Sequence, residues 1–168
     1  MILYLTRHAE AAKVGGAITR DADRTLTDHG RDDARIMGTA LARLDPTISV
    51  IIASPLVRAV QTGEIICQAL TGHPAVQTSN SIVPGFRPKR LLEELLALGT
   101  GKSLVAVGHQ PDLSGFIAYL VADESPAGVA MAPAAVAKLS IPDGDPAAGA
   151  QLLWLLTPEV VRTITPQP

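Results

Sequence analysis

Residues 103–108 of the 168-residue chain, SLVAVG, are apolar or small at every position. A strand with one face in water alternates apolar and polar residues, so a strand without alternation must be covered on both faces. That requirement narrows the fold to a sheet with helices on either side, since crossover helices are what cover both faces of a parallel sheet. Shorter runs of the same kind occur at Ile2–Leu5 and Ser49–Ala53. Between them, Ala34, Met37, Leu41 and Leu44 mark one face of a helix that starts near Thr27 and stops before Pro46. In "SPLVRAVQTGEIICQAL", Ser54 suits an N-cap and Pro55 a first helical residue. Leu56, Val60, Gly63, Cys67 and Leu70 are the expected inward face of that helix.

A short extended piece at Ala75–Thr78, a loop with Pro84 and Gly85, and a leucine-rich helix from about Lys89 to Leu98 complete the middle of the chain. Pro111 lies near another helix start, with Leu113, Phe116, Ile117 and Leu120 at helical spacing. After an Ala/Pro-rich tract at 125–135 the tail changes character. "AVAKLSI" and "QLLWLLT" flank the turn-rich "PDGDPAAG" and suit an antiparallel pair, with Trp154 inside a buried strand. The expectation is one domain over residues 1–168. Its fold class is α/β, a three-layer α/β/α sandwich with a mainly parallel sheet and an antiparallel C-terminal strand pair.

Composition narrows the function classes. A formal net charge of −2 gives no general pull towards nucleic acid or anionic membranes. The lone cysteine, Cys67, allows no intrachain disulfide, and the apolar start is interrupted by Arg7, unlike a signal peptide or a membrane span. A cytoplasmic protein is expected.

Three predicted strands end in unusual residues, and strand ends in a parallel sheet share one ligand-binding edge. The first ends in Arg7-His8, the second in Ser54-Pro55 with Arg58 a turn later, and the third in Gly108-His109. Arginine offers a flat fork of donors that matches phosphoryl oxygens and stays charged. Helix starts after Ser54 and Gln110 add free N–H groups. A neutral histidine can carry a phosphoryl group covalently, while a protonated one steadies charge on its oxygens. Such a set suits phosphoryl transfer without a metal.

"TRHAEA", "LTDHG", "SPLVRAVQT" and "VGHQP", in this order, resemble the histidine phosphatase (phosphoglycerate mutase-like) superfamily, most closely its short SixA-type phosphohistidine phosphatases. The resemblance spans Leu5 to about Gly115. It implies that His8 is the phosphorylated nucleophile, Arg7 and Arg58 are phosphate clamps, and His109 is the second imidazole. Gln110 joins them as a substrate-binding residue. Leu26, Thr27 and Gly30 mark a helix start, a structural signature. Ala9 replaces the usual glycine of this motif, which a backbone without positive φ tolerates.

Larger relatives keep a glutamate general acid beyond the third strand, where this chain has "VPGF". A departing imidazole needs less help than an alkoxide, so the missing acid points to phosphohistidine; Glu10, Asp21 or Asp23 are the candidate substitutes. Only 18 residues separate His8 from Thr27, too few for a helical cap. An open site suits a histidine displayed on another protein, and Arg20, Arg24, Arg87, Lys89 and Arg90 come from segments that border it. The expected activity is a metal-independent phosphatase with no cofactor, acting on a phosphohistidine-bearing protein. The alternatives are a small-molecule phosphomonoesterase of the same superfamily and a non-catalytic phosphoprotein-binding module.

Other residues have plainer roles in this scheme. His29 and His73 are expected to be solvated, and no HxH or HxxxH pair suggests a metal site. Cys67 reads as core, Glu93-Glu94 as the wet side of a helix, and Gln61 and Thr62 as packing or surface.

Overall fold

A computed structural model of the protein describes residues 1–99, 101–122, 128–142 and 149–165. Six strands form one sheet: β1 (Ile2–Arg7), β2 (Ile48–Ala53), β3 (Val76–Thr78), β4 (Ser103–Gly108), β5 (Val136–Ser140) and β6 (Gln151–Leu156). Their spatial order is β3-β2-β4-β1-β5-β6. The four on the β3 side run parallel, and β5 and β6 are antiparallel additions. The helices are α1 (Asp28–Leu44), α2 (Val57–Ala69), α3 (Pro88–Gly99), α4 (Asp112–Val121) and α5 (Pro158–Ile164).

Alternation along the central strands divides the core in two. Leu3 and Leu5 of β1 and Leu104 and Ala106 of β4 pack with Leu91, Leu95 and Phe116 of α3 and α4. Tyr4, Val105 and Val107 point the other way, onto Met37, Leu41, Ile66 and Val161 of α1, α2 and α5. Every residue of β4 is buried, as its unbroken apolar run requires. The three-layer α/β/α sandwich is therefore present, and α3 lies in the core against the sheet rather than over the strand ends. Only short segments and a 3₁₀ turn at Asp21–Asp23 connect β1 to α1, so no cap covers that edge among the described residues.

Several local expectations are corrected. The cap of α2 is Leu56, not Ser54, and Pro55 is exposed ahead of the helix; the Ser54 hydroxyl instead accepts from the Leu56 N–H at 3.4 Å. Buried positions of α2 are Arg58, Ala59, Thr62, Gly63, Ile65 and Ile66, so the inward face is rotated from the one the apolar residues mark. The reason is that two polar residues, Arg58 and Thr62, occupy buried positions. Trp154 is only partly buried, because β6 is an edge strand. The sequence pattern also missed α5, whose start is Thr157, accepting from the Val160 N–H, followed by Pro158. Residues 143–148 of the expected turn and 125–127 of the Ala/Pro-rich tract lie outside the described residues.

Candidate active site

The parallel strands bring the sequence motifs to one edge. Arg7 pairs with Gly108 across β1 and β4. The His8 N–H donates to the Gly108 carbonyl and the Ser54 N–H to the Val107 carbonyl, both at 3.0 Å. Gly108 must be small, since a Cβ there would lie 2.9 Å from Ile82 Cγ1 and 3.0 Å from Leu113 Cδ2. Gly30 has the same kind of duty. A Cβ on it would sit 2.1 Å from the Glu10 carbonyl oxygen, which also accepts from the Thr27 N–H at 3.1 Å. The "LTDHG" motif thus docks the start of α1, capped by Thr27, onto the segment that leaves His8.

His8 is held in one tautomer. Its Nδ1 lies 2.7 Å from the Ala9 carbonyl oxygen, which can only accept. Its Nε2 lies 3.1 Å from Arg58 Nε, which can only donate. The neutral ring therefore carries its proton on Nδ1 and a lone pair on Nε2. Burial pushes the His8 pKa from 6.5 down to about 4, against the Ala9 carbonyl, and Arg58, Arg7 and Arg24 add to the depression. At neutral pH the ring is uncharged and nucleophilic.

Arg58 occupies the first turn of α2, where the helix dipole disfavours a cation by about 0.3–1 kcal/mol. It is nonetheless 5% exposed. Its guanidinium donates to His8, to the Asp21 carbonyl at 2.8 Å and to Asp21 Oδ2 at 3.0 Å. Asp21 Oδ1 accepts from Arg24 at 3.0 Å, and the two arginines hold the Asp21 carboxyl below its usual range. Arg7 donates through one terminal nitrogen to the Met131 carbonyl at 2.8 Å, and burial lowers its pKa. The guanidinium stays charged at any working pH.

His109 is 3% exposed, with its ring centroid 5.1 Å from that of His8. Neither ring nitrogen has a protein partner. Burial pushes its pKa down to about 3, with His8 and Arg58 adding to the shift and Asp21 opposing it. Among the described residues, the buried side-chain polar atoms without a hydrogen bond are these two nitrogens, Arg7 Nε and Thr6 Oγ1. All belong to the ends of β1 and β4. Leaving such an atom unpaired costs about 1–3 kcal/mol, so their concentration marks a place built for a polar ligand.

Arg7, His8, Arg58 and His109 are thus brought together. The Gln110 side chain instead folds onto α4, bonding Ser114 through both its oxygen and its nitrogen. Glu10 is exposed and accepts from the Thr27 hydroxyl at 3.0 Å, and Asp23 pairs with Arg20 at 2.6 Å, which lowers its pKa. Ala9 has negative φ, and its N–H donates to Thr62 Oγ1 at 3.0 Å. Thr62 in turn donates to the Arg58 carbonyl at 2.7 Å, while Gln61 accepts from the Leu26 N–H. Of these two residues, expected to be packing or surface, Thr62 ties the His8 segment to α2 and Gln61 ties the segment before α1 to it; the spacing of four between Arg58 and Thr62 is the available signal. Arg24 and Asp21 were likewise undervalued, because their partner lies in α2. His29 is exposed beside Asp33, and exposed His73 sits in a turn. Among the described residues no group of three or more His, Cys, Asp or Glu is placed to hold a metal ion, and no helix is long and apolar enough to cross a membrane.

Residues 3–81 match the model of the histidine phosphatase superfamily (branch 1). Over 120 residues the chain is 37% identical to an uncharacterized protein of Picosynechococcus sp., covering 67% of this chain and 68% of that one. It is 38% identical over 76 residues to the mouse mitochondrial serine/threonine-protein phosphatase PGAM5, covering 45% of this chain and only 25% of that protein. It is 28% identical over 133 residues to the phosphohistidine phosphatase SixA of Escherichia coli, covering 75% and 78%. A solved structure of the protein histidine phosphatase SixA complexed with tungstate superposes with a TM-score of 0.82 at 25% identity, over 96% of this chain and 99% of that one. The chain belongs to the histidine phosphatase superfamily, in its SixA-type branch.

Proposed function

We propose that the chain is a metal-independent phosphatase that removes the phosphoryl group from a phosphohistidine displayed on another protein. The observation that carries this is the His8 ring, whose two opposed hydrogen bonds leave Nε2 as a neutral nucleophile between Arg7, Arg58 and His109. Nε2 attacks phosphorus, and the new N–P bond forms as the bond to the substrate imidazole breaks. The electron pair leaves with that imidazole, which takes a proton from solvent. Water then attacks phosphorus, the N–P bond breaks with its electron pair returning to Nε2 of His8, and phosphate departs as the proton lost by the water passes to solvent.

The clamps act by charge and position. Arg58 and Arg7 meet the phosphoryl oxygens, and the Arg58 donor that now points at Nε2 turns to an oxygen. His109 stays neutral because it is buried among cations. A phosphoryl dianion reverses that balance, since an opposite charge within about 4–6 Å favours the imidazolium. The orphaned nitrogens of His109 then become donors to the transferring group.

Phosphohistidine is the favoured substrate because, among the described residues, the three candidate acids are engaged elsewhere: Glu10 with the Thr27 hydroxyl, Asp21 with Arg24 and Arg58, and Asp23 with Arg20. Asp21 and Asp23 are held ionised by arginines. The protonated form of an imidazole leaving group has a pKa of about 6.5, so it departs without one. The superposed SixA structure holds tungstate, an oxyanion, which fits a cationic site of this kind. The test pairs a phosphohistidine-bearing phosphocarrier protein with p-nitrophenyl phosphate, each in excess EDTA, for the wild type and His8→Ala. Fast, EDTA-resistant dephosphorylation of the protein, weak ester turnover and a dead variant are expected. Efficient turnover of small esters alone would assign a phosphomonoesterase instead.

A further inference from the structure

We propose that the groove at the start of α3 is a docking surface for an acidic face of the phosphohistidine-bearing partner, resting on the phosphohistidine reading of the site. The groove has a volume of about 670 Å³, and its lining includes Val83, Phe86, Arg87, Lys89 and Arg90. Arg87, Lys89 and Arg90 are exposed, and none is in an ion pair among the described residues. That distinguishes them from Arg20, Arg24, Arg35, Arg58 and Arg162, each of which has an aspartate partner. Glu93 is the one acidic residue in the lining, so the groove keeps a net positive charge.

Topology puts this charge beside the chemistry. β3 runs parallel to β2, so the segment that leaves β3 emerges at the edge where His8, Arg58 and His109 lie. α3 starts there and runs back along the sheet. Ile82, in that segment, packs so closely on Gly108 that a Cβ would meet it at 2.9 Å. The groove is therefore joined to the backbone that carries His109. Strands in a sheet are spaced by about 4.8 Å, so the ends of β3 and β4 are about 10 Å apart. One protein partner can span both.

The floor has apolar character as well. Phe86 is half-buried, edge-on to Phe116 at 5.7 Å, and therefore fixed in place. A fixed aromatic flanked by three exposed cations suits a protein surface with acidic residues around an apolar side chain. An ion-only ligand would not use Phe86. Charge complementarity at such a rim acts mainly on encounter and falls with salt.

The test compares the wild type with Arg87→Gln/Lys89→Gln/Arg90→Gln. All three sites are exposed, and circular dichroism checks the fold. Labelled, unphosphorylated peptides rich in glutamate or in lysine are titrated by fluorescence anisotropy, so binding is read without turnover. Matched peptides carrying one phosphohistidine, with acidic or neutral flanks, are assayed in parallel. The acidic peptide is expected to bind the wild type at least tenfold more tightly than the triple variant, with the difference lost at 0.5 M salt, where the Debye length is about half that at 0.1 M. KM for the acidic phosphopeptide should rise in the variant while the neutral one is unchanged. Equal binding of the acidic peptide by both proteins would overturn the docking surface. Failure of the wild type to hydrolyse the neutral phosphopeptide would instead overturn the phosphohistidine reading, and the anisotropy result stands apart from it.

Discussion

The two ends of the central strands treat polar atoms in opposite ways. At one edge the Tyr4 hydroxyl donates to Asp45 at 2.9 Å, and Asp45 also accepts from the Thr47 N–H at 3.0 Å. The N-terminal ammonium donates to the Ile141 carbonyl at 2.9 Å. At the other edge Thr6, Arg7 and His109 keep buried atoms unpaired, and two imidazoles are pushed far from their ordinary pKa. One edge has its bonds completed within the protein and contributes to stability. The other holds cations, neutral rings and orphaned donors together at a cost in stability, which is how a site prepared for an anion differs from a structural end of a sheet.

The contrast can be broken first with acid. His8 and His109 have folded pKa values of about 4 and 3, below the unfolded value of 6.5. As pH falls below about 6.5 the unfolded chain takes up protons that the folded chain refuses, so stability drops. It is full above that pH, and about 4 kcal/mol should be lost by pH 5 if both rings stay neutral. Urea midpoints at pH 7.5, 6 and 5 would show it, and His109→Gln should flatten the profile. A pH-independent midpoint in the wild type would contradict the assigned charge states.

Arg58→Lys is the next largest effect. Lysine keeps the charge but not the fork that reaches His8 and Asp21 together. Turnover should fall by roughly 10²–10³-fold, as for loss of one donor to a transition-state oxygen, with the fold retained. Thr62→Val removes the acceptor of the buried Ala9 N–H, at a cost of about 1–3 kcal/mol. It should lower both the denaturation midpoint and the rate, because the His8 segment loses its tie to α2. Tyr4→Phe, at the other edge, should cost only about 1 kcal/mol and leave turnover unchanged. Equal effects of Thr62→Val and Tyr4→Phe on rate would erase the distinction between the edges.

Legibility in the sequence followed the same division. Burial on both faces leaves an unbroken apolar run, so β4 and the layered sandwich were readable, and each central strand end carried its own motif. What escaped notice depends on contacts between distant segments. Asp21 meets Arg58 across 37 positions, and nothing local to either residue announces it. The inward face of α2 was misplaced because Arg58 and Thr62 are polar, so hydrophobic periodicity pointed elsewhere. Ser54-Pro55 looked like a helix start, yet Ser54 is wholly buried at the strand end and the helix begins two residues after Pro55. The largest failures of periodicity thus fall where the chain serves the site.

The central claim is a phosphoryl group carried on one nitrogen of His8. Rapid quenching of wild-type protein with a ³²P-labelled phosphohistidine protein, followed by ³¹P NMR of the enriched phosphoenzyme, tests it most directly. The account predicts an acid-labile, base-stable phosphoryl group on Nε2 of His8, absent from His8→Ala. Turnover without any labelled enzyme, or label on Nδ1 or on another residue, would contradict it.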